Sequence, residues 1–241
     1  MSNKQFDYNQ VPKGHYEKII WEDQPIRKFW HVERFREMEE LLLDRGKNLT
    51  LLDYGCASGS FLGYLPKHYQ MAYGADIASP QVDLANQKYG SEKLKFLCSD
   101  FTALPFKKGS FDAIINSEVI EHVSHEESKD MLVSFRDLLK PDGRLLLSTP
   151  NYISFWPFIE FFVNRLSEVD YEHQHINKLD IPKCKKLLKE TGFEIDKLVT
   201  IFVIAPFLAP LSYKASQKIF GAEKKLIPNL GSLILLSAKK S

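Results

Sequence analysis

The sequence predicts one α/β domain built on a parallel sheet with helices on both faces. Three observations carry this. Between residues 49 and 149, short apolar runs of β type alternate with stretches whose apolar residues recur at helical spacing. One run, "FDAIIN" at 111–116, is apolar at Phe111, Ala113, Ile114 and Ile115, the pattern of a strand covered on both sides. Hydrophobic residues make up 44% of the 241 positions, which is enough for a sizeable core.

Taken in order, residues 1–24 are polar with scattered aromatics and read as an irregular arm. From Pro25 to Leu43, the positions Phe29, Val32, Phe35, Met38 and Leu42 fall at helical spacing, predicting a helix that lies across the cleft as a lid. Strands are expected at 49–54, 71–76, 94–98, 111–116 and 144–149, with helices at 59–68, 80–89 and 126–140. "KPDGR" at 140–144 is expected to stop the last helix and reverse the chain into the next strand. Beyond Pro150 the alternation loosens. Residues 153–166, "ISFWPFIEFFVNRL", are dense in aromatics, and 182–191 form a lysine-rich helix closed by Gly192. Strands at 193–203 and 232–238 flank an amphipathic stretch at 206–220. The chain therefore reads as a single domain over 1–241, with an arm and lid helix at 1–45, a core at 46–151, and two insertions with the last two strands at 152–241.

Charge narrows the function. Lys+Arg 32 against Asp+Glu 31 leaves no overall field that would draw the protein to nucleic acid. The tail differs: from Lys197 onward there are seven lysines and one acid, Glu223. Such a basic, apolar tail suits weak contact with a membrane surface, and its plain alternative is core packing with solvated lysines. The three cysteines, Cys56, Cys98 and Cys184, fit neither a disulfide framework nor a zinc spacing, so a reducing, cytoplasmic setting is expected. "MSNKQFDYNQ" lacks the apolar core of a signal peptide. The longest apolar run, "IFVIAPFLAPL" from Ile201, is short for a bilayer and is broken by two prolines. Oligomeric state is not legible.

The first strand runs into "DYGCASG" at 53–59. Ligands of open α/β sheets sit beyond the carboxyl ends of the strands, where strand order reverses. Gly55 and Gly59 allow tight turns and close approach there. A dinucleotide fold uses such a turn for a pyrophosphate, with the spacing G-x-G-x-x-G. This chain instead has D-x-G-x-A-x-G, and the carboxylate of Asp53 repels a diphosphate but suits a cation. Asp76 closes the second strand, where it can accept both hydrogen bonds of a ribose diol; its plain alternative is a helix cap ahead of "SP". Asp100 follows the third strand, placed to accept from an adenine amino group while Phe101 or Leu104 covers the ring. Three acids at three successive strand ends outline a nucleoside with a cationic tail.

"LLDYGCASGSF", "GADIAS", "SDFTALPF", "FDAIINSEVIEHV" and "LLKPDGRLLLSTPN" resemble, in order and spacing, the motifs of class I S-adenosylmethionine-dependent methyltransferases over residues 49–151. "GFEIDKLV" and "GSLILLSAKK" resemble that family's last two strands. The resemblance implies a Rossmann-like, seven-stranded, mostly parallel sheet with an antiparallel C-terminal edge hairpin and S-adenosyl-L-methionine as cofactor. It assigns the methionine part to Asp53, Gly55, Gly59 and the backbone of Cys56, and the ribose to Asp76. The adenine falls to Asp100 and Phe101, with Ile77 and Ser117 also lining the cofactor. Ala57 stands where the family usually has glycine and is expected to hold a negative φ and to narrow the groove slightly.

Methyl transfer is an in-line displacement, and a hydroxyl acceptor must also lose a proton. If "SEVIEHVSHEE" is helical, Glu118, Glu121 and His122 share one face, which is a possible divalent-metal site; the preferred reading makes His122 a pocket residue and general base. Asn151 and Tyr152 end the fifth strand within reach of an acceptor, and a simple turn is their alternative. In "DYEHQHIN", Tyr171, His173 and His175 are placed to close over the substrate or complete a base dyad, with His175 the second catalytic candidate. His31 or Arg34 on the lid helix can reach the methionine carboxylate, and Trp30 reads as core. The expected function is methylation of a small-molecule acceptor, at a hydroxyl of a phenolic, sugar or lipid-linked intermediate. Its rivals are N- or C-methylation, a non-catalytic cofactor-binding scaffold, a nicotinamide oxidoreductase, and nucleic-acid methylation. The intact acids, the glycine spacing, and the balanced charge without an "NPPY" motif count against the last three in turn.

Overall fold

A computed structural model of the chain describes residues 8–22, 24–43, 46, 48–65, 69–160 and 175–241. Seven strands form one sheet: β1 Leu49–Tyr54, β2 Tyr69–Asp76, β3 Leu94–Cys98, β4 Phe111–Ser117, β5 Leu139–Pro150, β6 Phe193–Ile201 and β7 Leu233–Lys240. Their order is β3-β2-β1-β4-β5-β7-β6, with β7 antiparallel to both of its neighbours and the first five strands parallel. The residue pattern predicts the parallel sheet, and the family resemblance implies its antiparallel C-terminal pair. Strand order reverses between β1 and β4, so the crevice beyond their carboxyl ends lies where a ligand of this architecture binds.

Alternation along the strands explains the two layers of helices. Leu51, Ala113, Ile115, Leu146 and Leu235 face one side, against Phe35 and Met38 of α2 (Pro25–Leu43), Phe61 of α3 (Ser60–Tyr64), and Val82 and Ala85 of α4 (Ser79–Tyr89). Leu52, Ile114, Leu145, Leu147, Ile234 and Leu236 face the other, against Met131, Leu132 and Phe135 of α5 (His125–Leu138) and Leu187 and Leu188 of α6 (Ile181–Glu190). Each such fully buried aliphatic or aromatic side chain contributes about 1.5–3 kcal/mol of transfer free energy. Helix α5 starts sharply because Ser124 and Glu127 form a reciprocal capping box.

Three expectations are corrected. The arm is not wholly irregular: a 3-10 turn at Tyr8–Gln10 precedes a helix, α1, at His15–Trp21. α1 packs on α2, and Glu17 beneath it gathers Ser58, Ser60, Lys88 and Tyr89. "KPDGR" does not separate helix from strand; β5 already begins at Leu139, and residues 140–143 bulge out before Arg144 pairs with Ala113. The amphipathic stretch is two helices, α7 Ala205–Leu208 and α8 Tyr213–Leu226, because Pro210 and Ser212 divide it, the Ser212 hydroxyl capping α8.

Candidate functional site

The turn after β1 is built of left-handed residues: Gly55 at φ 79°, Ala57 at 45° and Gly59 at 76°. A Cβ on Gly55 would meet Val119 Cγ2 at 2.1 Å, and one on Gly59 would meet the Phe96 ring at 2.6 Å, so sterics add to the backbone demand for glycine. Ala57 contradicts the expected negative φ. Its left-handed conformation costs about 1–2 kcal/mol, and it is held because its N–H donates to Asp76 Oδ2 at 2.8 Å. The other oxygen of Asp76 accepts from the Ala78 N–H at 2.9 Å, so this carboxylate ties the turn to the end of β2. Cys56 uses both backbone groups inside the turn, its N–H on Ala75 and its carbonyl accepting from Gly59.

Asp53 and Asp76 stand on adjacent strands, since Asp53 pairs in register with Gly74. Asp53 is buried, and burial, then the negative charge of Asp76, push its carboxyl up to about 7, with Arg34 opposing. Arg34 comes from the middle of α2. It lies 3.5 Å from Glu118, contacts His31 Nδ1 at 3.2 Å, and keeps a buried Nε with no partner among the described residues. Of the two lid candidates, Arg34 therefore reaches the crevice, while burial and the charges of Arg34 and Arg27 hold His31 neutral. Trp30 packs on Phe202 at 4.3 Å, as a core residue should. From the arm, Tyr8 sits edge-on to His122 at 5.9 Å, and burial with the charges of Glu121 and Asp76 raises its phenol.

On the β3 side, Ile77 is exposed beside Asp76, and Phe101 donates its N–H to the Tyr54 hydroxyl at 3.1 Å. Asp100 Oδ1 accepts from the N–H and hydroxyl of Thr102 at 2.9 and 2.8 Å, capping the 3-10 turn Phe101–Ala103. On the β4 side, Ser117 Oγ lies 2.9 Å from Ser148 Oγ, which donates on to Glu118 Oε1 at 3.0 Å.

The segment after β4 is not the helix that would align Glu118, Glu121 and His122. Glu118 adopts φ 58° and only Ile120–His122 form a 3-10 turn, so Glu118 turns to Arg34 and Ser148. Glu121, His122 and His175 converge instead, with one possible ligand atom each within 4.8 Å of one another. The His122 and His175 rings lie 4.8 Å apart. Glu121 is buried; Oε2 accepts from Thr149 at 3.0 Å, while Oε1 has no partner among the described residues. Burial, then Glu118, push its carboxyl well up. His175 Nδ1 is 2.5 Å from Glu160 Oε1, and the Tyr152 hydroxyl donates to the same oxygen at 2.7 Å. His175 and Tyr152 pull Glu160 down against its burial. Asn151 is fully buried and its amide donates to the Gly231 carbonyl at 2.9 Å, tying β5 to the turn before β7, while its Oδ1 has no partner among the described residues. Tyr171 and His173 lie outside the described residues.

Sequence reading missed Glu160, Tyr8 and Thr149. Glu160 carried a usable signal, as the one acid in the aromatic stretch "ISFWPFIEFFVNRL". Tyr8 and Thr149 carried none, because each is defined by partners far along the chain.

Residues 52–147 match a family model described as a methyltransferase domain. A probable S-adenosylmethionine-dependent methyltransferase of Mycolicibacterium smegmatis is 25% identical over 72% of this chain and 63% of its own length. A ubiquinone biosynthesis O-methyltransferase of Dinoroseobacter shibae is 33% identical over 44% of this chain and 42% of its own. The chain thus spans less than two thirds of either relative. Among solved structures, the magnesium protoporphyrin IX methyltransferase of Synechocystis PCC 6803 with bound SAH superposes with TM-score 0.65 at 21% identity. That match covers 94% of this chain and 93% of that one, and shows the shared fold.

Proposed function

We propose, for a chain that carries a class I S-adenosylmethionine-dependent methyltransferase domain, that it moves the methyl group to an oxygen of a small-molecule acceptor bound beside Glu121, His122, Tyr152 and His175. The supporting observation is that cluster, set at the carboxyl ends of β4 and β5 next to the nucleoside crevice. In this reading Asp76 takes the ribose diol. Asp100, Phe101 and Ile77 take the adenine. Asp53, Gly55, Cys56, Gly59 and Ser117 surround the methionine part, whose carboxylate meets Arg34.

S-adenosylmethionine held there would supply a methyl group on a sulfonium, which the acceptor oxygen would take as the sulfur leaves as a neutral thioether. The hydroxyl proton passes to a histidine. Glu160 engages His175 Nδ1 at 2.5 Å, which favours the tautomer with Nε2 as the basic nitrogen. His122, ring to ring with His175, is the second candidate base. The test is release of S-adenosylhomocysteine across a panel of phenols, sugars and lipid-linked intermediates, with acceptors drawn from the metabolites that accumulate in a deletion strain. Transfer to a hydroxyl, lost in His175→Ala with cofactor binding intact, supports the reading. Transfer to nitrogen or carbon, or binding without turnover on any accumulated metabolite, contradicts it.

The unpartnered Glu121 Oε1 favours a second reading, in which Glu121, His122 and His175 hold a divalent metal. Activity undiminished in excess chelator removes it.

A further inference from the structure

The face of α8 turned to solvent carries charge of one sign. Lys214, Ala215, Lys218, Ala222, Lys225 and Leu226 are all exposed, and at helical spacing they share one side. Its opposite side is buried through Ser216, Phe220 and Glu223. Glu223 is the tail's single acid, and its carboxylate accepts from the N–H groups of Val203, Ile204 and Ala205 at 3.2, 2.7 and 3.0 Å. It is thereby withdrawn from the surface. Lys224 turns aside to Glu37. Lys214, Lys218 and Lys225 make no ion pair among the described residues. Large apolar side chains flank this face: Leu211 is 84% exposed before the helix and Leu226 79% at its end, with Ile204, Phe207 and Leu230 also exposed.

We propose that this basic, apolar face docks the protein on an anionic lipid bilayer. Charge complementarity names an anionic partner, and the apolar side chains at both ends of the lysine row name a partner with an apolar interior. A nucleic acid fits less well, because the chain has no arginine after residue 165, and arginine is the residue that reads phosphates and guanines in forked pairs. The buried side of α8, opposite the lysine row, connects through aromatic rings to the acceptor side of the crevice. A run of rings leads inward from Phe220 to Phe202 at 5.3 Å, to Trp30 at 4.3 Å, to Trp156 at 5.6 Å and to His175 at 6.1 Å. Phe155 and Phe158 are exposed beside Trp156. The docking itself does not rest on the proposed function.

The test is co-sedimentation of the full chain with vesicles of phosphatidylcholine, with and without phosphatidylglycerol, and fluorescence titration of a labelled duplex DNA in parallel. Each lysine near an anionic surface is expected to strengthen binding about fivefold. The triple variant K214E/K218E/K225E should therefore lose affinity for phosphatidylglycerol vesicles by at least about a hundredfold, since it also adds repulsion, and Leu211→Ser should lose it by about threefold to tenfold at unchanged charge. Thermal unfolding and S-adenosylhomocysteine binding, both unchanged in these variants, show that the fold is kept. Binding confined to anionic vesicles, weakened by salt and by both variants, supports the proposal. Three results would overturn it: no wild-type binding to anionic vesicles, equal binding by the triple variant, or tighter binding to the DNA than to the vesicles.

Discussion

Because Asp53 is held near a pKa of about 7 by burial and by Asp76, its charge changes across the physiological range. A ligand bearing a sulfonium beside it binds the ionised form and pulls the proton off. The sign follows: affinity for S-adenosylmethionine rises with pH through about 7 and levels off above it, and binding releases a proton. Between about pH 6 and pH 8 the ionised fraction climbs from about one in eleven to about ten in eleven, so affinity should increase about tenfold, or roughly 1.4 kcal/mol. Calorimetric titration at the two pH values, in two buffers of different ionisation enthalpy, reads both the affinity and the released proton. Asp53→Asn is the control. It should bind more weakly at the higher pH and show a flattened dependence. A wild-type affinity that does not change with pH, or an equal slope in Asp53→Asn, refutes the assignment of Asp53 to the cationic part of the ligand.

Asp53 also bears on stability. Its folded pKa lies above its unfolded value, so its ionisation opposes folding increasingly from about pH 4 to pH 7 and fully above that. Asp53→Asn should stabilise the ligand-free protein at about pH 8 by on the order of 1–3 kcal/mol, read as a higher unfolding temperature, and leave it unchanged near pH 4. Ala57→Gly relieves a left-handed alanine and should stabilise by about 1 kcal/mol in urea unfolding, whereas a glycine at an ordinary φ would do the reverse. Gly55→Ala places a Cβ 2.1 Å from Val119 and should cost roughly 2 kcal/mol or more, with loss of cofactor binding. Glu160→Gln should lower kcat about tenfold to a hundredfold and shift the pH–rate profile, with cofactor affinity unchanged.

The central strands were legible because they are covered on both faces and read as apolar runs, whereas β3, at the sheet edge, is buried only at Leu94 and Phe96: β1 and β3 fall at the expected residues, and β2, β4 and β5 extend theirs. The acids at the strand ends were legible for the same reason, since a charge closing an apolar strand stands out. What the sequence could not show was set by distant partners. Ala57 takes its unusual φ from a hydrogen bond to Asp76, and Glu118 leaves its helical alignment for Arg34 and Ser148. Glu160 reaches His175 across an insertion whose path no local spacing describes. The antiparallel place of β7 between β5 and β6 came from family resemblance, because periodicity along a strand says nothing of its neighbours.

The most direct measurement is a crystal structure of the protein soaked with S-adenosylhomocysteine. The row of acids at the ends of β1, β2 and β3 predicts the nucleoside in the crevice, its diol on Asp76, its adenine between Ile77 and Phe101, and its amino-acid end between Asp53 and Arg34. An empty crevice, or the ligand lodged elsewhere on the surface, contradicts it.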